Sequence, residues 1–221
     1  MSTYNYIHTS ETLPSGLVRV DIVADTDAEN PTQAWDMVGK LVLIDRCRYD
    51  FGHETASHEE LQALADDPNN ICLPVYMYDH SGITIRTSPF SCPWDSGQVG
   101  VMYCTKQKAI KEWGKKLCTA KVREAAIKCM VAEIKEIDDY LTGNVWGFEV
   151  IETGTDEVLD SCWGFVGDPE YCLEEALASA QFYEAEILEQ RRQTWRSALK
   201  EARERRYWSQ RDTATTTNLH V

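Results

Sequence analysis

The segment TAKVREAAIKCMVAEIKEIDDYLTGNVWGFEVIETGTDEVLDSCWGF, Thr119 to Phe165, decides the fold class. In its first half Ile127, Met130, Ile134, Ile137 and Leu141 step by 3, 4, 3 and 4, which is one continuous helical stripe. Thr119 stands where the helix begins, and Gly143 supplies the stop. Two strands follow, Val145–Ile151 and Glu157–Phe165, joined around Thr153-Gly154-Thr155-Asp156. A helix that runs straight into neighbouring strands, with no β–α–β alternation, points to α+β rather than α/β.

The chain upstream agrees. Leu17 to Val23 alternates in part, Ala24 to Pro31 is an acidic, turn-rich break, and Leu41 to Ile44 reads as a buried strand. Ser57 with Glu60 three residues on predicts a capping box for a short helix that ends by Asp66–Asn70. Val75–Tyr78 and Ile83–Thr87 flank Asp79-His80-Ser81-Gly82 as a hairpin, and Val99–Cys104 is a further strand. Thr105 caps a helix from Lys106 to about Lys116. The expected architecture is a mixed, mainly antiparallel sheet with helices on one face. Scattered acids such as Asp66-Asp67 and Asp138-Asp139 read as solvated faces or caps.

After Pro169, as far as Arg211, there is neither Pro nor Gly, and Leu173, Leu177, Ala180, Ile187, Leu188, Trp195 and Leu199 lie on one helical face. About 40 residues at 1.5 Å each give ~60 Å of helix, longer than the ~45 Å diameter of a compact chain of this size. Charge divides along it: Glu170 to Gln190 holds six acids and no base, while Arg191 to Arg211 holds eight bases and two acids. Three readings follow: a single amphipathic helix, an isologous antiparallel dimer with Trp195 near the contact, and nucleic-acid contact aided by Trp195, Tyr207 and Trp208. The dimer, or a partner helix, is favoured. Candidate contact residues are Arg191, Arg192, Trp195, Arg196, Leu199, Tyr207 and Trp208. The expected organisation is an acidic α+β domain over residues 1–168, a long helix over 169–212 and a disordered tail over 213–221.

Composition bounds the function. The 221 residues carry 36 acids against 22 bases, a formal charge of −14, with ordinary apolar content of 43%. That balance argues against direct nucleic-acid binding, because phosphate contacts need Lys and Arg. No apolar run approaches the ~20 residues that span a bilayer, and Met1 to Ser10 lacks the features of a signal peptide. A cytoplasmic protein with no membrane contact is expected. The eight cysteines show no Cys-x-x-Cys spacing and mostly sit in apolar stretches, as reduced structural thiols do.

Two patches carry candidate chemistry. Cys92-Pro93-Trp94-Asp95-Ser96-Gly97-Gln98, shortly after Asp79-His80, supplies a thiol, an imidazole and a carboxylate, the types needed by a cysteine-dependent hydrolase or transferase. The candidates are Cys92, His80 and Asp95, with Asp79 as the alternative carboxylate and Gln98 or a backbone N–H to serve an oxyanion. The bland alternative is a tight loop in which Trp94 plugs the core and Cys92 is buried. Asp160 to Phe165 has a Cys-Trp pair but not the Gly-Ser-Cys-Trp context of papain-like enzymes, and reads as a strand with Cys162 and Phe165 or Trp163 in the core. His53 and His58 are five apart, missing the four of the helical zinc motif. No metal and no cofactor are expected.

Leu73-Pro74, Tyr78-Asp79-His80-Ser81-Gly82, Cys92-Pro93-Trp94-Asp95-Ser96-Gly97-Gln98-Val99-Gly100, Tyr140-Leu141-Thr142-Gly143, Gly147-Phe148 and Asp160-Ser161-Cys162-Trp163-Gly164-Phe165 together resemble a group of proteins encoded by bacteriophages and other mobile elements. The resemblance spans roughly residues 71–168 and implies provenance, not an activity. It implies a gene used against, or inside, a bacterial host; the acidic charge, the overhanging helix and the weak catalytic signals then point to a host protein or protein complex as the partner. The expectation is a non-enzymatic, homodimeric protein-binding factor. Its task would be counter-defence, such as inhibition of an anti-CRISPR kind, with an acidic surface competing for nucleic-acid-binding surfaces. The rivals are the cysteine enzyme and a DNA-associated regulator working through the basic helix end.

Overall fold

A computed structural model describes residues 7–217, with side chains through 207. Alternation along the strands Lys40–Ile44 (β3) and Ser96–Thr105 (β7) sets the first layer. Leu41 and Leu43 point one way with Met102 and Cys104, and Val42 points the other way with Val101 and Tyr103. Leu41 pairs with Met102 and Val42 with Val101, so the register keeps each set on its own face. Glu54–Ala56 (β4), Asn70–Asp79 (β5) and Ile83–Arg86 (β6) complete a five-stranded sheet of order β4-β3-β7-β5-β6. Its only parallel pair among the described residues is β3 with β4; β7 with β3, β7 with β5 and β5 with β6 are antiparallel.

The helix of the decisive segment, Ala120–Thr142 (α4 in chain order), covers one face of this sheet. Thr119 is its N-cap, and Gly143 closes it with a φ of 79°. Val122, Ala126, Met130, Ile134 and Ile137 are buried against Leu41, Leu43, Ile71, Val75 and Met102. Lys106–Glu112 (α3) packs beside it through Ala109. The short helix His58–Asp66 (α2), with the capping box of Ser57 and Glu60 in place, instead sets Leu61 against Val42 and Val101 on the opposite face. The sheet is therefore covered on both sides, not one, because its strands are apolar in both directions of the alternation.

A second sheet stands apart. Ile7–Thr12 (β1), Val18–Ala24 (β2), Val145–Glu152 (β8) and Glu157–Val166 (β9) pair in the order β1-β2-β8-β9, all antiparallel. The fold is α+β, but what reads as one sheet in the sequence is two. Chain order conceals this, since β2 pairs with β8, more than a hundred residues later. The acidic break before β3 also contains a short helix, Pro31–Ala34 (α1), capped by Asn30.

The C-terminal helix, Pro169–Thr217 (α5), lies on the second sheet. Cys172, Ala176 and Ala180, four residues apart and fully buried, let it approach Val18, Val20, Ile22, Phe148 and Val150 closely. Leu173, Leu177, Tyr183 and Ile187 flank that line. Ser179 Oγ donates to Asp160 Oδ2 at 2.5 Å, and Ser15 Oγ donates to Glu184. α5 extends five residues beyond the boundary read from sequence, so residues 213–217 are helical; 218–221 lie outside the described residues.

Asp138 joins the layers and Asp139 is buried beside the end of α4, contrary to the reading of the pair as solvated faces or caps. Asp138 Oδ1 accepts from Thr84 Oγ1 at 2.7 Å and Ile85 N–H at 2.8 Å, pinning β6 to α4. Asp139, only 5% exposed, pairs with Lys135 and accepts from Asn144 Nδ2.

Candidate functional site

The structure brings Cys92, Asp95 and His80 together, in an order the enzyme reading does not need. Asp95 N-terminal to β7 is tied to β5 by its carbonyl, which accepts from Asp79 N–H at 2.8 Å. Its Oδ2 lies 3.5 Å from Cys92 Sγ and 3.4 Å from His80 Nδ1. The carboxylate thus stands between thiol and imidazole. A nucleophilic cysteine is activated by a base in contact with its sulfur, and among the described residues no thiol–imidazole hydrogen bond forms. His80 stacks at 5.9 Å on Tyr78, which also stacks on Phe90, and Arg86 sits over Phe90 at 3.9 Å. Trp94 does not plug the core. It is 91% exposed at the loop tip, because Ser96 Oγ closes the loop on Cys92 O and directs the intervening side chain outward.

Of the remaining thiols Cys104 and Cys172 are buried, Cys47, Cys72, Cys118 and Cys129 are half-buried, and Cys162 is exposed. All eight cysteines are unpaired. Burial pushes Cys72 and Cys129 up to about 11, Cys129 with help from Glu133, and Cys172 up to about 12. Thiols so shifted carry negligible thiolate at neutral pH. His53 accepts from Leu41 N–H through Nδ1 at 3.0 Å, which fixes its neutral form, and burial lowers its proton affinity. That nitrogen is unavailable to a metal, and among the described residues no group of three His, Cys, Asp or Glu is placed to hold one.

The arm of α5 is the more distinctive feature. From Gln190 to Tyr207 every side chain is exposed, including Arg191, Arg192, Arg196, Leu199 and Tyr207, with Trp195 at 65%. Trp208 lies outside the described side chains. Where the helix leaves the sheet, a groove of ≈ 700 Å³ opens between the β8–β9 hairpin and α5. Glu152, Glu157 and Glu186 line it beside Tyr183, Arg191 and Trp195.

A second concavity escapes the sequence reading altogether. Trp35 and Trp163, with Asp25, Asp27 and Glu29, border a cavity of ≈ 550 Å³ beside the second sheet. Of the strand Asp160–Phe165 only Phe165 packs inward; Cys162 is exposed and Trp163 is 40% exposed. The signal available in the sequence was Trp163-Gly164, a bulky side chain followed by the residue most tolerant of a displaced backbone. Its partner Trp35 had no signal, being remote in the chain.

No family model, no curated protein and no solved structure matches this chain. Among the described residues no helix is long and apolar enough to cross a membrane.

Proposed function

We propose that the protein is a non-enzymatic protein-binding factor of bacteriophage or mobile-element origin that works as a homodimer in a bacterial host. Its acidic body competes for the basic surface of a host defence complex. The observation that carries this reading is α5. A helix of 49 residues spans ~73 Å, yet its own sheet covers it only to about Ile187. Residues 191–217 project for ~40 Å with exposed Trp195 and Leu199. A projecting basic rod that exposes Trp195 and Leu199 gains by pairing. An antiparallel second copy would place its Arg191, Arg192, Arg196 and Lys200 against the acidic first half and the glutamates of the groove.

Pairing also leaves the body as the acidic face. Removing Arg191 to Arg211 from the count leaves 34 acids and 14 bases. Such a surface steers toward cationic partners and repels nucleic acid. The exposed Trp94 adds a rigid aromatic contact of the type enriched at binding hot spots. Capture from bacterial lysate tests the charge-driven reading. The partner retained by the wild type is expected to be released by added DNA, and lost from a variant with Glu59, Asp66, Glu112 and Glu124 changed to Lys. Capture unaffected by both changes overturns it.

A second reading is favoured by one observation, the convergence of Cys92 and His80 on Asp95. A loop movement bringing His80 onto the sulfur would make a cysteine hydrolase or transferase. Selective alkylation of Cys92 by iodoacetamide at neutral pH, together with loss of biological activity in Cys92→Ser, would support that reading over the first.

A further inference from the structure

β9 has one residue too many opposite Gly147. Trp146 pairs with Phe165 and Phe148 with Cys162, so Trp163 and Gly164 face a single residue of β8. A bulge of this kind takes one side chain out of the alternation of the sheet, and Gly164 accommodates it with a φ of 85°. Phe165 remains on the α5 side, 5.8 Å from both Phe148 and Tyr171. Trp163 turns to the other face, where its six-membered ring covers Gly147. A Cβ on residue 147 would come within 2.2 Å of Cε3. The missing side chain of Gly147 is the seat of the indole.

Across the cavity stands Trp35, at the end of α1, and the segment Asp25 to Glu29 makes the third wall. That wall is fixed: Asp25 N–H donates to Val145 O at 2.8 Å, Asp27 N–H to Asp25 Oδ1 at 3.2 Å, and Asn30 caps α1. Each indole is 40% exposed, and among the described residues no ring contact joins the two. Neither is therefore consumed by the other. Asp25, Asp27 and Glu29 border the same space, which no Lys, Arg or His lines, and none of the three has a cationic partner among the described residues.

We infer that the Trp35–Trp163 cavity binds an organic cation, the guanidinium end of an arginine side chain presented by a partner protein. Indole faces attract cations through their quadrupole, and a guanidinium stacks on an aromatic ring while its edges bond carboxylates. Three carboxylates disfavour an anion or a neutral apolar ligand. An inorganic cation would want converging oxygen or nitrogen ligands, and among the described residues no three His, Cys, Asp or Glu are so placed. The volume admits a side chain with its aliphatic stem. This inference rests on the proposed function for the source of the cation, and it names the group that the acidic body would recognise.

Nuclear magnetic resonance of the full chain tests it. The indole Nε1–H signals of Trp35 and Trp163, identified with Trp35→Phe and Trp163→Phe, are followed during addition of acetyl-arginine methylamide, its neutral citrulline counterpart, or choline. Saturable shifts of both indoles are expected with the arginine derivative and none with citrulline at equal concentration. Asp25→Asn and Trp163→Leu are each expected to weaken binding, the latter about tenfold. Gly147→Ala, which unseats Trp163 without removing it, is expected to do the same; should that variant not fold, Trp35→Leu at the exposed rim gives the equivalent reading. The inference is overturned if neither indole shifts, if citrulline acts equally, if choline saturates the site and arginine does not, or if Trp35→Leu binds unchanged. α5 takes no part in the cavity, so failure here leaves the dimer mass unaltered, and failure of α5 pairing leaves these titrations unaltered.

Discussion

Glu133 sits within the helical stripe of α4 but does not behave as a surface acid. Only 7% exposed, it accepts Val38 N–H at Oε1, at 2.5 Å, and Gly39 N–H at Oε2, at 2.8 Å, holding the approach to β3. Burial raises its proton affinity, against the pull of those two N–H donors and of Lys108. A carboxyl whose affinity is higher folded than unfolded contributes stability fully below its unfolded value and loses it as pH rises through the folded one. Glu133→Gln removes the titration and one of the two acceptors, at a cost of about 1–3 kcal/mol near neutrality. In urea unfolding, the wild type's advantage over this variant is expected to shrink as pH rises from about 4, the ordinary carboxyl range, and then to level off. An advantage that grows with pH would mean that the backbone donors outweigh burial. The role of Glu133 was illegible in sequence because its partners lie more than ninety residues upstream, and Asp138 was misread for a similar reason, its partners Thr84 and Ile85 lying on a distant strand.

Element boundaries follow local chemistry closely. Thr105, Thr119 and Ser57 all cap where the sequence places them, and Gly143 closes α4. α3 ends at Glu112, short of Lys116, because Gly114 turns the chain at a φ of 60°. In α5 the same residue type has two meanings. Ala176 is wholly buried against the second sheet, whereas Ala202 on the projecting arm is exposed. Ala176→Leu overfills a closed contact and is expected to cost about 1–3 kcal/mol, lowering the melting temperature by about 2–12 °C. Ala202→Leu is expected to leave it unchanged to within about 0.5 kcal/mol. Differential scanning calorimetry separates the two. Equal effects would show that the arm is packed as tightly as the base.

Charge acts over the whole molecule, and its segregation is the basis of the proposed pairing. Light scattering after gel filtration is expected to give twice the chain mass of 25.2 kDa for the wild type. Arg191, Arg192, Arg196 and Lys200 changed together to Glu should return the mass to that of one chain, with unchanged circular dichroism of the body. The dimer should also weaken between about 0.05 and 0.5 M salt, as the screening length contracts. A wild type that elutes as a single chain at all concentrations defeats the pairing. Net charge and its division between residues 170–190 and 191–211 were legible from composition, since counting needs no geometry.

The sequence alone determined the α4 stripe, the hairpin strands, the caps, the start of α5 and the sign of the surface. Each is fixed by neighbours within a few residues, which is the range over which helical and strand repeats act. Tertiary structure alone decided the pairing of β2 with β8, which splits one expected sheet into two. It also decided the order Cys92–Asp95–His80, and the meeting of Trp163 with Trp35 around a shared cavity. Those outcomes depend on which distant surfaces close against one another, and a linear pattern carries no term for that choice.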